Sequence, residues 1–313
     1  MIKIYRTENR KIGELHAYEP GSWVQLTAPT LDEMQLISKR FEIDIADVRA
    51  AMDADESSRV EIEDDYTLIL VDIPIIEIRN EQKAYTAIPL GILLLDDYII
   101  TICAEETPVL EYFVNSTVRD FSTKKQMRFV YQILYRTCMV YQLYLRTIDN
   151  KRTEIETRAQ EDMQEEDLVT LHELESNLVY FATSLRANGA VIDRLSRYSR
   201  VRQFPEDKDL LDDVKVENAQ AIEMTVIYKD IIHGTRELLS NIIDIRLNNV
   251  MKYLAAITIV MAIPNIISGF YGMNVDGKWV PLHSTPYGFG IICVVTLVVC
   301  LVVLKILKKK RMI

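Results

Sequence analysis

Two long apolar segments near the carboxyl-terminal end of this 313-residue chain constrain its fold more than any other feature. Residues 253–275 contain no charged side chain, and residues 288–304 form a second uncharged run. A helix needs about 20 apolar residues to cross the hydrocarbon core of a membrane. Neither segment has the amino-terminal position of a secretion signal. The sequence therefore predicts an integral membrane protein with two spans, the second reaching Leu307 because the Lys305 side chain can extend to the interface.

Charge is distributed unevenly along the chain. Residues 250–313 carry seven Lys and Arg against one Asp, a net charge of +6, whereas the other 249 residues carry 29 basic and 45 acidic side chains, a net charge of −16. An acidic surface repels phosphate, so we expect no nucleic-acid partner and an attraction for metal cations instead. Basic residues precede the first apolar segment and follow the second, which predicts a cell-membrane protein with both termini in the cytoplasm.

The residue types that support enzymatic chemistry occur without the required spacing. The four histidines are isolated from one another, and the chain has no phosphate-binding glycine loop and no nucleophile elbow. The four cysteines form no CxxC pair, which indicates reduced thiols. We therefore expect a protein that is not an enzyme.

Residues 1–120 mix strand and helix patterns. Runs rich in β-branched residues predict strands at 2–5, 23–26, 66–76, 86–95 and 98–103. Thr30 and Glu33 have the spacing of a capping box that opens a helix through about Phe41, and residues 44–52 predict a second short helix. These patterns predict an α+β cytosolic domain with a largely antiparallel sheet.

The remaining chain is predicted to be helical. Residues 121–204 are expected to form two paired long helices, which break at the acidic stretch 161–167; a solvated turn is favoured there over a metal site. Residues 206–263 contain no proline and only one glycine, Gly234, which predicts one stalk helix over 205–271 that continues into the first membrane span. The predicted boundaries that follow are an external loop at 272–286, a second span at 287–307 and a basic tail at 308–313.

Polar side chains inside the first apolar segment indicate a function for it. Thr258 and Asn265 are seven residues apart and share a helix face, which is predicted to include Asn248, Met251 and Leu254 as well. A carboxamide in a membrane is costly unless it meets a polar partner or lines water. A contact between helices would satisfy one such residue, but the extended face favours a pore lining. Two spans cannot enclose a pore, so we expect an oligomer around a symmetry axis.

The first span ends in Gly272-Met273-Asn274, after a very long helix and before a second span with a basic tail. Together with the segments 249–254 and 268–274, this arrangement resembles the CorA family of magnesium channels. The resemblance implies a homopentameric funnel with an α/β cytosolic domain, paired helices and a stalk helix that lines the pore. It also implies that Gly272, Met273 and Asn274 form an outer selectivity ring that receives the hydrated ion.

The resemblance further implies influx of Mg²⁺, with Co²⁺ and Ni²⁺ as additional candidate ions, gated by cytosolic Mg²⁺. Polar pore rings would come from Asn248, Thr258 and Asn265, and an apolar constriction from Met251 and Leu254. In the family, carboxylates between neighbouring cytosolic domains bind regulatory Mg²⁺ and hold the closed state. The corresponding residues here would be Asp213 and Glu77.

Two other functions fit parts of the pattern. A zinc transporter of the same superfamily is one, although such proteins typically have Val or Ile where this chain has Met273. A non-conducting scaffold anchored in the lipid bilayer is the other, although an anchor does not need the polar face of the first span. The loop also departs from the family pattern, because Asp276 is its only acidic residue and Lys278 is basic.

Overall fold

The structure, a computed structural model, describes residues 1–8, 11–79, 82–115, 118–161, 163–198, 205–277, 280–282 and 285–310. The chain divides into two compact units, Met1–Arg236 and Glu237–Ile313. Parts of the predicted loop and tail, including Lys278 and Arg311, lie outside the described residues.

The first unit contains a seven-stranded mixed sheet with the order β2-β1-β3-β7-β6-β5-β4. All neighbouring strands pair antiparallel except β3 and β7, which are parallel. The strands are β1 (Ile2–Glu8), β2 (Lys11–Leu15), β3 (Ser22–Thr27), β4 (Arg59–Ile62), β5 (Thr67–Arg79), β6 (Gln82–Leu94) and β7 (Tyr98–Cys103).

Two short helices lie between β3 and β4, and both begin as the sequence predicts. Helix α1 (Leu31–Phe41) has a complete capping box, since Thr30 and Glu33 each accept a hydrogen bond from the other's backbone N–H. Helix α2 (Ile45–Ala50) is capped by Asp44, whose carboxylate accepts a bond from the N–H of Ala46 at 2.8 Å. These caps satisfy backbone donors that the first helical turn leaves without partners.

The sheet buries apolar side chains on both of its faces. One face packs Val24, Leu68 and Leu70 against α1 and α2. The other face packs β5, β6 and Trp23 against α3 (Pro108–Asn115) and α4 (Gln126–Glu161). Phe129 is fully buried there, with its ring centroid 5.0 Å from that of Trp23 and 4.8 Å from that of Phe121. Burial on both faces accounts for the continuous apolar runs of β5 and β6.

Helix α5 (Glu165–Leu195) covers the edge of β5 beyond the point where β4 ends. The last β4 pair joins Arg59 to Leu70, so that Asp72, which is paired with Pro89 of β6 on its other side, has no strand partner on the β4 side. The Asn188 amide takes this place, accepting from the N–H of Asp72 at 2.8 Å and donating to its carbonyl at 2.7 Å. One buried side chain thereby replaces a residue of a neighbouring strand.

Helices α4 and α5 run antiparallel, since Tyr141 packs on Phe181 near their middles and Arg158 pairs with Asp167 near the turn between them. The Asp167 side chain is fully buried and also accepts a bond from the N–H of Gln164 at 3.0 Å. The expectation of a solvated acidic turn is therefore wrong for Asp167, because this carboxylate caps α5 and neutralises an arginine.

The chain ends in two helices with long apolar segments. Helix α6 extends from Pro205 to Tyr271, and α7 from Gly288 to Lys309. Both are long and apolar enough to cross a membrane. Only 6% of the most apolar stretch of each helix is buried within the chain. In α6 the first half contributes Leu211 and Val214 to the core of the first unit. The apolar segments therefore face outwards from a single chain.

The predicted fold class is confirmed: an α+β region is followed by long helices and two apolar carboxyl-terminal helices. The sequence interpretation missed β2, β4 and α3. Strands β2 and β4 are short edge strands, and much of their surface is exposed, so that they lack the apolar pattern that marks β5 and β6. The predicted domain boundaries stay predictions.

Candidate functional site

The predicted pore residues of α6 lie on a face that no other part of the described chain covers. Met251 and Leu254 are 57% and 59% exposed, and Thr258 and Asn265 are exposed as well. The Thr258 hydroxyl donates to the carbonyl of Leu254 at 2.8 Å, which leaves its lone pairs free to accept. The Asn265 amide makes no hydrogen bond within the described residues. We refer to the helix face that carries Thr258 and Asn265, together with the apolar side chains of Met251 and Leu254, as the polar stripe.

Helix α7 packs on a different side of α6. Cys300 of α7 contacts the carbonyl of Val260, and Pro264, Ile267 and Tyr271 of α6 line a groove against α7. Two residues along an α-helix correspond to a rotation of about 200°. Val260 therefore lies nearly opposite Thr258, and Ile267 nearly opposite Asn265. Within the second unit, α7 packs on the side of α6 opposite the polar stripe and leaves the stripe exposed.

Asn248 stands apart from the other predicted pore residues. It is exposed and makes no hydrogen bond among the described residues. Ten residues separate it from Thr258, which places it about 80° away around the helix. Asn248 therefore lies at the margin of the stripe, and its assignment to the pore stays a prediction.

The Gly272-Met273-Asn274 motif forms the turn in which α6 ends. The N–H of Gly272 donates to the carbonyl of Ser268 at 2.9 Å, and the N–H of Val275 donates to that of Met273 at 3.0 Å. A Cβ atom on Gly272 would lie 3.3 Å from the Ser268 carbonyl oxygen, so the turn is tight for a larger residue. Asn274 is exposed just beyond this turn. Its carboxamide is therefore accessible at the end of the stripe-bearing helix.

Pro264 lies inside α6 and interrupts its hydrogen bonds. Proline has no N–H, so the carbonyl of Val260 loses its helical donor. The Cys300 Sγ of α7 lies 3.9 Å from that carbonyl oxygen and donates to it. Sequence analysis missed Cys300, because only the packing of α7 shows which carbonyl its thiol reaches.

The two predicted regulatory carboxylates lie on different elements of the first unit. Glu77 is half-buried on β5, opposite Ala84 of β6. Asp213 is exposed on α6, one turn before Glu217, whose carboxylate accepts from the Gln142 amide at 2.6 Å. Burial raises the pKa of Tyr135, and Glu217 and Asp213 raise it further, which places both carboxylates near α4.

A single chain does not assemble a metal site from these residues. Among the described residues, no group of three or more His, Cys, Asp or Glu side chains is placed to hold a metal ion. The predicted site would form between neighbouring copies, so the assignment of Asp213 and Glu77 stays a prediction.

These features define a class of membrane protein. Its first unit is a mixed α+β structure, and its second unit consists of the end of α6, which carries the exposed polar stripe, and of α7. The CorA-like Mg²⁺ transporter family model matches residues 19–309. The chain belongs to this family, and the resemblance inferred from the sequence is confirmed.

Individual relatives agree with this assignment. The chain is 25% identical over 291 residues to a cobalt/magnesium transport protein CorA of Methanocaldococcus jannaschii, covering 92% of this chain and 90% of the relative. Its fold is similar to the complete structure of the CorA magnesium transporter from that organism, with a TM-score of 0.82, 22% identity, and coverage of 100% and 99% of the two chains. It is also similar to the full-length CmaX protein, with a TM-score of 0.70, 13% identity, and coverage of 98% and 97%.

Proposed function

We propose that this chain forms a homopentameric channel that carries Mg²⁺ into the cytosol and closes when cytosolic Mg²⁺ is high. The observation that carries the proposal is the polar stripe, which is exposed on α6 opposite the side that packs on α7 and leads to Asn274. Copies arranged around an axis would turn the stripe towards a shared aqueous path. Family membership and a curated relative described as a cobalt/magnesium transport protein support this cargo.

The chemistry of the motif suits a hydrated ion. Mg²⁺ holds its water ligands tightly and dehydrates reluctantly. Neutral carboxamide oxygens from several copies of Asn274 can accept hydrogen bonds from these waters, and the Gly272 carbonyl lies close by in sequence. Further along, Thr258 and Asn265 provide neutral oxygens, while Met251 and Leu254 provide an apolar ring that can close by losing water. Co²⁺ and Ni²⁺ would share this path as hydrated divalent cations.

The direction of transport follows from charge and from the membrane potential. Basic residues next to both apolar segments, including Lys252, Lys308 and Lys309, favour cytoplasmic termini. The first unit then lies in the cytosol, where its acidic surface meets the ions that enter. A divalent cation gains about 4.6 kcal/mol for each 100 mV of an inside-negative potential. Influx therefore needs no other energy source.

Regulation is assigned to carboxylates at contacts between copies. Asp213 and Glu77 repel other carboxylates unless a cation lies between them. Bound Mg²⁺ would hold neighbouring first units together, and loss of the ion would release them. The ion would thereby shift the population from the open to the closed state.

Uptake of Mg²⁺ into proteoliposomes under an inside-negative potential tests the proposal. The wild-type chain is expected to take up Mg²⁺, and Asn274→Ala to reduce the initial rate strongly. Asn150→Ala, which removes an exposed amide of α4, serves as the matched control and should leave the rate unchanged. Preferential uptake of Zn²⁺ would favour the zinc transporter, and absence of flux without Mg²⁺ on the cytosolic side would favour the scaffold. Equal rates for Asn274→Ala and wild type would remove Asn274 from the selectivity ring.

Limited proteolysis with and without Mg²⁺ tests the regulatory assignment. Mg²⁺ is expected to protect the wild-type chain and to protect Asp213→Lys less, because a lysine repels the bound cation. Asp230→Lys makes the same charge change at another exposed position of α6 and should behave as wild type. Equal protection of Asp213→Lys and wild type would exclude Asp213 from the site.

A further inference from the structure

Helix α6 contains a carbonyl that lacks the usual hydrogen-bond donor one turn further along the helix. The helix continues through Pro264 to Tyr271, and the proline leaves the Val260 carbonyl without its usual N–H donor. This carbonyl lies within the uncharged segment, where a membrane offers no water as a substitute partner. A side chain of a neighbouring helix is one group that can supply a donor there.

Cys300 supplies that donor from α7. Its Sγ lies 3.9 Å from the Val260 carbonyl oxygen, and the residue is half-buried. A thiol is a weak donor, but no other side chain among the described residues donates to this carbonyl. Cys293 lies seven residues earlier on the same face of α7 and makes no such contact there. The bond is therefore specific to the cysteine placed beside the carbonyl that Pro264 frees.

A groove lies between α6 and α7 around this contact. It has a volume of about 910 Å³, and its lining includes Pro264, Tyr271, Phe289, Cys293 and Cys300. The groove shows that the two helices are not tightly packed along this part of their lengths. Cys300 lies on the lining of this groove, where its thiol makes a hydrogen bond from α7 to α6.

The bond is well placed to control the polar stripe. Val260 lies between Thr258 and Asn265 in sequence and on the opposite side of the helix, about 200° from Thr258. A change in the tilt of α6 at Pro264 would displace Asn265 relative to Thr258. We propose that Cys300 is a positioning residue for transport, which holds α6 at its proline so that both stripe residues line one path. This inference rests on the proposed function.

A double-mutant cycle measures the bond through the initial rate of Mg²⁺ uptake into proteoliposomes. Cys300→Ala is expected to lower the rate about threefold, the equivalent of one hydrogen bond between membrane helices. Cys300→Ser keeps a donor and should restore the rate. Cys293→Ala, the matched control on the same helix face, should leave it unchanged. In a Pro264→Ala background the helix regains its own donor, so adding Cys300→Ala should cause no further loss.

An equal loss from Cys300→Ala in both backgrounds, or no rescue by serine, would overturn the proposal. The S–H stretching band gives a second readout that does not depend on transport. The band that disappears in Cys300→Ala is that of the Cys300 thiol, and it should lie at the lower frequency of a hydrogen-bonded thiol. In Pro264→Ala this band should move to the frequency of a thiol without a hydrogen bond. A Cys300 band at the free-thiol frequency in the wild-type chain would refute the bond. If the wild-type chain shows no Mg²⁺ uptake, the proposed function fails, while the spectrum still decides whether the bond exists.

Discussion

The two units of the chain use similar apolar residues in opposite ways. In the first unit, Leu68, Ile69, Leu70 and Val71 are all fully buried in one strand. In the second unit, large apolar side chains are exposed along both helices, and Phe289 is 82% exposed. Water would make such exposure unfavourable, whereas lipid or neighbouring copies would not. The comparison teaches that the first unit is stabilised mainly from within and the second mainly by its surroundings.

The largest expected effect contrasts two phenylalanines. Phe129→Ala removes a fully buried ring that packs against three other aromatic rings, so it should destabilise the first unit by about 3–5 kcal/mol. Phe289→Ala removes a ring with few contacts in the chain and should change stability little. Thermal unfolding of the full chain in detergent, followed by the near-ultraviolet signal of Trp23 and its neighbours, measures both. Comparable losses from the two substitutions would contradict the comparison.

Two asparagines give the next largest effect. Asn188 is 2% exposed, and Asn188→Ala leaves the N–H of Asp72 without a partner and its C=O with only the Tyr141 hydroxyl, at a cost of about 1–3 kcal/mol. Asn265→Ala should cost less than about 0.5 kcal/mol, because the exposed amide has no partner within the described chain.

The same pair should differ in transport. Asn265→Ala is expected to lower the rate of Mg²⁺ uptake about tenfold, the equivalent of about 1.4 kcal/mol. Unfolding temperature and uptake rate, measured on the same preparations, separate structural from functional amides. Normal uptake by Asn265→Ala would take this residue out of the proposed path.

The smallest expected effect concerns a buried acid in the first unit. Burial raises the pKa of Asp72, although Ser184 and Ser58 donate to its carboxylate and oppose the rise. The folded state then binds the proton more tightly than the unfolded state, so stability falls as pH rises from the unfolded pKa through the folded one. Asp72→Asn removes this loss and should raise the unfolding temperature slightly at neutral pH.

The difference from the wild-type chain should vanish at a pH below the unfolded pKa of the carboxyl, where Asp72 is protonated in both states. Unfolding temperatures measured across this range test the sign. An advantage of Asp72→Asn that persists unchanged in acid would show that ionisation of Asp72 is not the cause.

Much of the fold could be predicted because its signals are local. The capping box of Thr30 and Glu33, the β-branched runs of β5 and β6 and the proline-free stretch of α6 each depend on neighbouring residues. The edge strands β2 and β4 were missed because pairing with a longer neighbour, rather than their own pattern, defines them. Asp167 was placed in solvent because sequence shows its charge but not Arg158 beside it.

The residues of the candidate site also differ in whether local spacing or contacts between distant residues decide their positions. Spacing alone placed Thr258 and Asn265 on one face, since a helical period relates residues seven apart. The same period places Asn248 about 80° from Thr258, so spacing also puts Asn248 at the margin of this face once α6 is one continuous helix. The assignments of Asp213 and Glu77 remain predictions, because contacts between copies decide them.

The sequence by itself determined that this chain has two apolar helices at its carboxyl-terminal end, a long helix leading into the first, and a motif typical of one transporter family. Apolar length, helical period and charge are properties of neighbouring residues, so no folding is needed to detect them. Only the tertiary structure decided that the Asn188 amide completes the edge of β5 and that the Cys300 thiol reaches the Val260 carbonyl. Residues far apart in sequence make these contacts, and their partners follow from how the elements pack.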